Sequence, residues 1–237
     1  MVKIKFGGRL LILMNCPLFI LFACYMIFLS GCSPKAAVSD TPDENTTALG
    51  DILVMPFKDM YKIYGTDITF RCPLCGAVHM TGKVEDGADE FLTDQLFSLL
   101  RQRPALQLIG PGQAEGAKNQ VLSKAGKELS EIELILETAR NTGAESVLVG
   151  RVFRFIPRVG TSYSVEMPAS VSFDLILLRV SDGQLIWSGK FDETQRALNE
   201  NLFQLGTFLK RKARWLTARE LALSGLNDVL GTFPEPL

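Results

Sequence analysis

Cys72-Pro73-Leu74-Cys75-Gly76, followed shortly by His79, gathers the side chains best able to do chemistry in this sequence. Two thiols at this spacing can grip one zinc ion, and the glycine after them resembles the turn of a zinc knuckle. His79 could add a third ligand. A closed tetrahedral site needs four, and the sequence has no second cysteine pair. The fourth would be a carboxylate or come from another subunit. The same thiols could instead close a structural disulfide in an oxidising compartment, or act as a redox pair. The βαβ context that flanks thioredoxin-like motifs is missing here. Haem attachment would need a histidine directly after Cys75, where Gly76 stands. His79 is the only histidine. That nearly excludes His-dependent triads, for which His79 alone would have to serve, and multi-histidine metal sites in one chain acting alone. Taken by itself, His79 reads first as a solvated loop residue and second as a ligand.

A different chemistry is written at Leu29-Ser30-Gly31-Cys32. Lys3, Lys5 and Arg9 make a basic start, and residues 10–29 carry no charged side chain. Small residues then precede a cysteine, in the form of a bacterial lipobox. Small side chains suit the bond that a signal peptidase cuts, and a thiol is what a lipidating enzyme needs to attach a diacylglycerol. Resemblance to lipoprotein signals implies that residues 1–31 are a signal peptide and that Cys32 opens the mature protein with acyl chains attached. A plain transmembrane helix is the competing reading, since the apolar run is long enough to span a bilayer. Either way the rest of the chain is expected outside the cytoplasm. Ser33 stands where an Asp would resemble an inner-membrane retention signal. The expected location is thus the outer membrane of a Gram-negative bacterium, facing the periplasm, with contact to the membrane through the lipid anchor.

The remaining candidates are weaker. Gly110-Pro111-Gly112 and Gly116 follow an apolar run, but Glu115 breaks the dinucleotide fingerprint and no Gly-Lys-Ser/Thr completes a P-loop. A plain turn is expected there. Leu198, Leu202, Leu205 and Leu209 recur at helical spacing beside Phe203 and Phe208. Lys210, Arg211, Lys212, Arg214 and Trp215 follow. This is either a core-facing helix with a solvated basic end, or a helix that meets lipid phosphates or a protein partner. The acid pairs Asp192-Glu193 and Glu85-Asp86 are not placed across a cleft by anything in the sequence, and no acid–base role is expected of them.

Bulk properties narrow the class. The 237 residues carry a net charge of −1, and losing the three cations Lys3, Lys5 and Arg9 leaves the mature chain near −4. No basic footprint calls for nucleic acid. About 200 mature residues can bury a core without disulfide staples. Of five cysteines, Cys16 and Cys24 fall in the discarded segment and Cys32 is consumed by lipid. Only Cys72 and Cys75 remain. No cofactor is expected beyond a structural zinc at that pair.

Residues 32–50 are rich in Pro, Thr, Ser, Asp and Ala, and read as a flexible tether. Residues 51–237 form the domain. Ile52–Phe57 reads as a buried strand closed by Pro56. Lys58–Lys83 is irregular. A helix starts near Asp86, with Ala88, Phe91, Leu92, Leu96, Leu99 and Leu100 on its core face, and Pro104 stops it. Ala105–Ile109 is a short strand, and Gly110–Leu129 is loop with a weak helix. Ser130 and Glu133 make a capping box for a helix that ends at Gly143. Val147, Val149, Phe153 and Phe155 alternate along one strand, and Val171, Phe173, Leu175 and Leu177 along the next. Asp182-Gly183 turns a hairpin into a third strand beginning Leu185-Ile186-Trp187. Thr217 and Glu220 cap a last helix that buries Leu221, Ala222 and Val229. The expected fold is α/β (α+β): a single mixed sheet in the order β-α-β-α-β-β-β-α, with helices packed on it.

Three stretches of this text resemble one group of periplasmic lipoproteins. Ile52–Phe57 is similar to its opening strand, Gly143-Ala144-Glu145-Ser146-Val147-Leu148-Val149-Gly150 to its "GA-x-x-VLVG" strand, and Asp182–Trp187 to its hairpin. The group includes the curli-secretion channel subunit CsgG, the penicillin-binding-protein activator LpoB and the TolB amino-terminal domain. The resemblance implies a small domain for envelope assembly and not for catalysis. It also implies an envelope protein partner and self-association into a homo-oligomer. No residue role is carried over. A curli-type secretion channel is one alternative, although Ile156–Ala169 is too short for a bilayer-spanning hairpin and the segment after Trp187 alternates poorly. A thiol–disulfide protein acting through Cys72 and Cys75 is the other.

Overall fold

The computed structural model describes residues 49–126, 128–161, 165–195 and 215–235. Its centre is a mixed sheet. Strand β1 (Asp51–Val54) lies between β5 (Gln107–Ile109) and β6 (Ser146–Ile156), parallel to both. Next to β6 comes β9 (Ser170–Arg179), antiparallel, and then β10 (Leu185–Thr194), antiparallel again. The two-residue β2 (Lys58–Asp59) also pairs with β6, in parallel. The expected mixed sheet with packed helices is thus present.

Helix α2 (Ala88–Arg101) makes the crossover from β1 to β5, and α3 (Pro111–Lys124) with α4 (Glu131–Thr142) makes the one from β5 to β6. They cover opposite faces. Leu92, Leu96 and Leu100 of α2, and Leu221, Ala222, Leu226 and Val229 of α5 (Ala218–Leu230), pack on Leu148, Val152, Phe155, Val171, Phe173, Leu175 and Leu177. Ile135, Leu136 and Ala139 of α4 pack with Leu53, Val147, Val149, Ile176 and Leu178 on the other side. Helix ends follow the expected chemistry. Ser130 with Glu133 and Thr217 with Glu220 form complete capping boxes, and Gly143 takes the left-handed conformation that closes α4.

Four expectations need correction. Residues 58–83 are not irregular: they hold β2, a one-turn helix α1 (Tyr61–Tyr64) and a hairpin of β3 (Thr69–Arg71) with β4 (Val78–Met80). Residues 111–124 form a full helix, with Pro111 at its first position. In β6, Phe153 and Phe155 do not share a face. A bulge between Val152 and Arg154 shifts the phase, so Val152 and Phe155 both join the α2 side, while Phe153 stacks on His79. The segment after Trp187 continues as strand to Thr194, with half-buried and exposed residues alternating. Between β6 and β9, among the described residues, β7 (Val159–Gly160) pairs with β8 (Val165–Met167).

Candidate functional site

The hairpin β3–β4 lies over the β6–β9 part of the sheet, on the face opposite α2. Its turn is the cysteine segment. Cys72 N–H donates to the Ala77 carbonyl (2.8 Å) and Gly76 N–H to the Cys72 carbonyl (3.0 Å). Gly76 has φ +70°, a conformation in which a side chain would be strained. This tight turn points both sulfurs at the sheet. Cys75 N–H donates to Cys72 Sγ (3.3 Å). Both cysteines are free thiols, Cys72 buried and Cys75 half-buried.

Beneath them the sheet presents charge. Arg151 of β6 and Asp174 of β9 are direct cross-strand partners. Arg151 Nε donates to Asp174 Oδ1 (3.0 Å), and Nη2 to Oδ2 (2.6 Å). The same Nη2 also donates to Cys72 Sγ (3.0 Å). The guanidinium lies over two neighbouring rings, 5.1 Å from the centroid of Phe70 and 5.8 Å from that of Phe153. His79 is not a solvated loop residue: it sits in β4, 1% exposed, stacked on Phe153 with ring centroids 4.0 Å apart. Its Nδ1 lies 3.0 Å from Ser172 Oγ. Its Nε2 has no hydrogen-bond partner; the nearest charge is Asp174 Oδ2 at 3.5 Å.

The electrostatics divide the two thiols. Burial alone would raise the Cys72 thiol, but the Arg151 guanidinium, helped by Cys75, outweighs it and holds Cys72 below its usual range. Burial pushes the Cys75 thiol up, and the adjacent Cys72 sulfur adds to that. Burial would also discharge Arg151; Asp174 and Cys72 more than offset it, so the guanidinium stays charged. Cys72 Sγ, Cys75 Sγ and a carboxylate oxygen of Asp174 lie within 4.8 Å of one another.

The structure therefore brings together Cys72, Cys75 and His79, as the spacing suggested, and adds three residues that the sequence reading passed over: Arg151, Ser172 and Asp174. A signal for them existed. Ser170, Ser172 and Asp174 recur at every second position inside an apolar strand, and Arg151 interrupts the neighbouring one. Cys32, Leu198, Leu202, Phe203, Lys210, Arg211 and Lys212 lie outside the described residues. Trp215 is half-buried, and its carbonyl accepts a hydrogen bond from Arg158 Nη1. Among the described residues no helix is long and apolar enough to cross a membrane. Gly110 is the extended residue before α3, and Gly112 and Gly116 lie within that helix and not in the plain turn expected of them.

No protein-family model matches the chain, and neither does any curated protein. Solved structures do. The LpoB C-terminal domain from Salmonella enterica is 22% identical, with a TM-score of 0.36 over 64% of this chain and 87% of that one. The PelC dodecamer from Paraburkholderia phytofirmans is 18% identical, with a TM-score of 0.38 over 78% and 87%. Lipoprotein GNA1162 from Neisseria meningitidis is 14% identical, with a TM-score of 0.38 over 69% and 98%. No residue role or activity is carried over from these structures.

Proposed function

We propose that this chain is a lipoprotein of the Gram-negative outer membrane. Cys32 holds it there, and its periplasmic α/β domain works as a non-catalytic assembly or regulatory module for an envelope partner. The observation that carries the reading is Leu29-Ser30-Gly31-Cys32 at the end of an uncharged apolar run. Eighteen residues, 33–50, then separate the anchor from β1. Several acyl chains hold strongly, since each buried methylene contributes about 0.8 kcal/mol.

The fold lends support. Parallel α/β sheets usually take their ligands at the carboxyl ends of the strands. Here the chain itself occupies that place beyond β1. Met55 N–H donates to the Leu148 carbonyl (2.9 Å), and β2 continues alongside β6. Phe57 N–H donates to Thr93 Oγ1 of α2 (2.8 Å), and the Phe57 ring lies against Gly150. A surface cavity of about 370 Å³, lined in part by Ala144, Glu145, Ser146 and Arg179, sits at the opposite, amino-terminal end of β6.

Palmitate labelling with membrane fractionation tests the anchor. The expected result is a labelled outer-membrane protein whose mature sequence begins at Cys32, and loss of both label and membrane retention in Cys32→Ala. An unlabelled protein still carrying residues 1–31 would overturn it.

A further inference from the structure

His79 Nε2 is buried and unpartnered, and such groups in folded proteins call for an explanation. The ring is held on its other nitrogen by Ser172 Oγ and on its face by Phe153. A proton on Nε2 would face Asp174 Oδ2 at 3.5 Å, beyond the usual hydrogen-bond range. A proton on Nδ1, donated to Ser172, leaves Nε2 with a lone pair beside the Asp174 carboxylate. Metal-binding histidines are oriented in this way, one nitrogen on the ion and the other tied to a polar neighbour.

The remaining groups fit the same chemistry. Cys72 Sγ, Cys75 Sγ and an Asp174 oxygen already lie within 4.8 Å of one another; His79 Nε2 stands outside that trio and meets it through Asp174 Oδ2, 3.5 Å away. A tetrahedral zinc site would draw such atoms to roughly 3.6–3.8 Å. The knuckle turn gives Cys72 a backbone N–H···S contact from Cys75. Charge also balances. Two thiolates, one carboxylate and a divalent cation sum to one negative charge, and Arg151, donating to Asp174 and to Cys72, cancels it without itself being a ligand.

We propose that Cys72, Cys75, Asp174 and His79 hold one structural zinc ion, with Arg151 and Ser172 as their supporting partners. Four protein ligands leave no open position for substrate, so the site is structural and not catalytic. It would clamp the β3–β4 hairpin to the sheet, and it supplies the carboxylate that the cysteine motif lacked. The proposal goes beyond membrane anchoring and does not depend on it.

The test is cobalt titration of the full chain, extracted in detergent and reduced, with both thiols counted. One equivalent of cobalt should give thiolate-to-metal charge-transfer bands and the ligand-field bands of a tetrahedral ion, both abolished by one equivalent of zinc. Cys75 is half-buried, so Cys75→Ser removes a ligand without opening the core. It should weaken binding at least 100-fold while the far-ultraviolet circular dichroism stays unchanged. Ser172→Ala should weaken binding about 10–100-fold, as loss of an outer partner does. Absent cobalt bands with two titratable thiols, or unaltered binding in folded Cys75→Ser, would overturn the proposal. So would a chain isolated from cells two hydrogens lighter, with Cys72 and Cys75 joined as a disulfide.

Discussion

The two faces of the β6–β9 pair are built on different physics. One is apolar throughout: Val152, Val171, Phe173 and Leu175 meet α2 and α5. On the other, Val147, Val149, Ile176 and Leu178 pack under α4, but further along the same strands the buried residues are Arg151, Asp174, Ser172 and Ser170. The apolar face gains from area removed from water, which has no direction and tolerates a change of shape. The polar face gains only if each group meets its partner at the right angle and distance, because an unpaired buried charge is costly. The same two strands thus carry a forgiving surface and an exacting one, with the bulge at Phe153 setting which residues go where.

The sharpest way to break this contrast is Arg151→Met. It leaves Asp174 charged and buried with its two closest donors gone, and should cost about 3–5 kcal/mol. In the metal-free chain, the double change Arg151→Met with Asp174→Leu should recover most of that loss, since apolar replacement of a buried pair is often neutral or better. Urea midpoints at unchanged slope measure both. A double variant as unstable as the single one would mean that the polar face gives net stability, against the contrast drawn here.

On the apolar face, Leu96→Ala should cost about 2–5 kcal/mol through lost transfer and a cavity, because Leu96 is fully buried. Leu96→Met should cost less than about 1.5 kcal/mol. No conservative change at Arg151 should be so well tolerated; Lys cannot reproduce the fork that holds both carboxylate oxygens. If Arg151→Lys proves as mild as Leu96→Met by the same melts, the polar face is less exacting than its geometry implies.

Gly150 probes the seam where β1 passes into β2. A Cβ there would stand 2.8 Å from the Phe57 ring, so Gly150→Ala should destabilise by about 1–3 kcal/mol through overpacking. Trimming the ring in a Phe57→Leu background should reduce that penalty. Equal penalties in both backgrounds would place the strain elsewhere.

Much of the apolar face was legible in the sequence. Leu92, Leu96 and Leu100 recur at helical period, and Val171 to Leu177 alternate, so burial on one side follows from side-chain direction alone. The polar face was legible only in part. Cys72, Cys75 and His79 are close in sequence and declare themselves. Arg151 and Asp174 lie 79 and 102 positions beyond Cys72 in the numbering, and only strand register brings them beneath it. The bulge at Phe153 hid the register further: an unbroken alternation puts Phe153 with Phe155, and the extra residue separates them. The hairpin was missed because Thr69–Arg71 and Val78–Met80 are too short for a periodicity to emerge.

The smallest expected effects give a matched control across the sheet. Helix α4 lies on the face that carries the polar cluster and α5 on the apolar one, and each begins with a complete capping box. Glu133 N–H donates to Ser130 Oγ (3.3 Å) and Glu220 N–H to Thr217 Oγ1 (3.2 Å). A cap is a local device: it satisfies first-turn donors whatever the helix packs against. Ser130→Ala and Thr217→Ala should therefore each cost about 1 kcal/mol, equally within error, in urea melts of the same chain. A Thr217→Ala loss several times larger would mean that the α5 cap also fixes how that helix seats on the apolar face. A Ser130→Ala change that also weakened cobalt binding would mean that α4 and the hairpin share one cooperative unit, joining the polar cluster to the helical layer beside it.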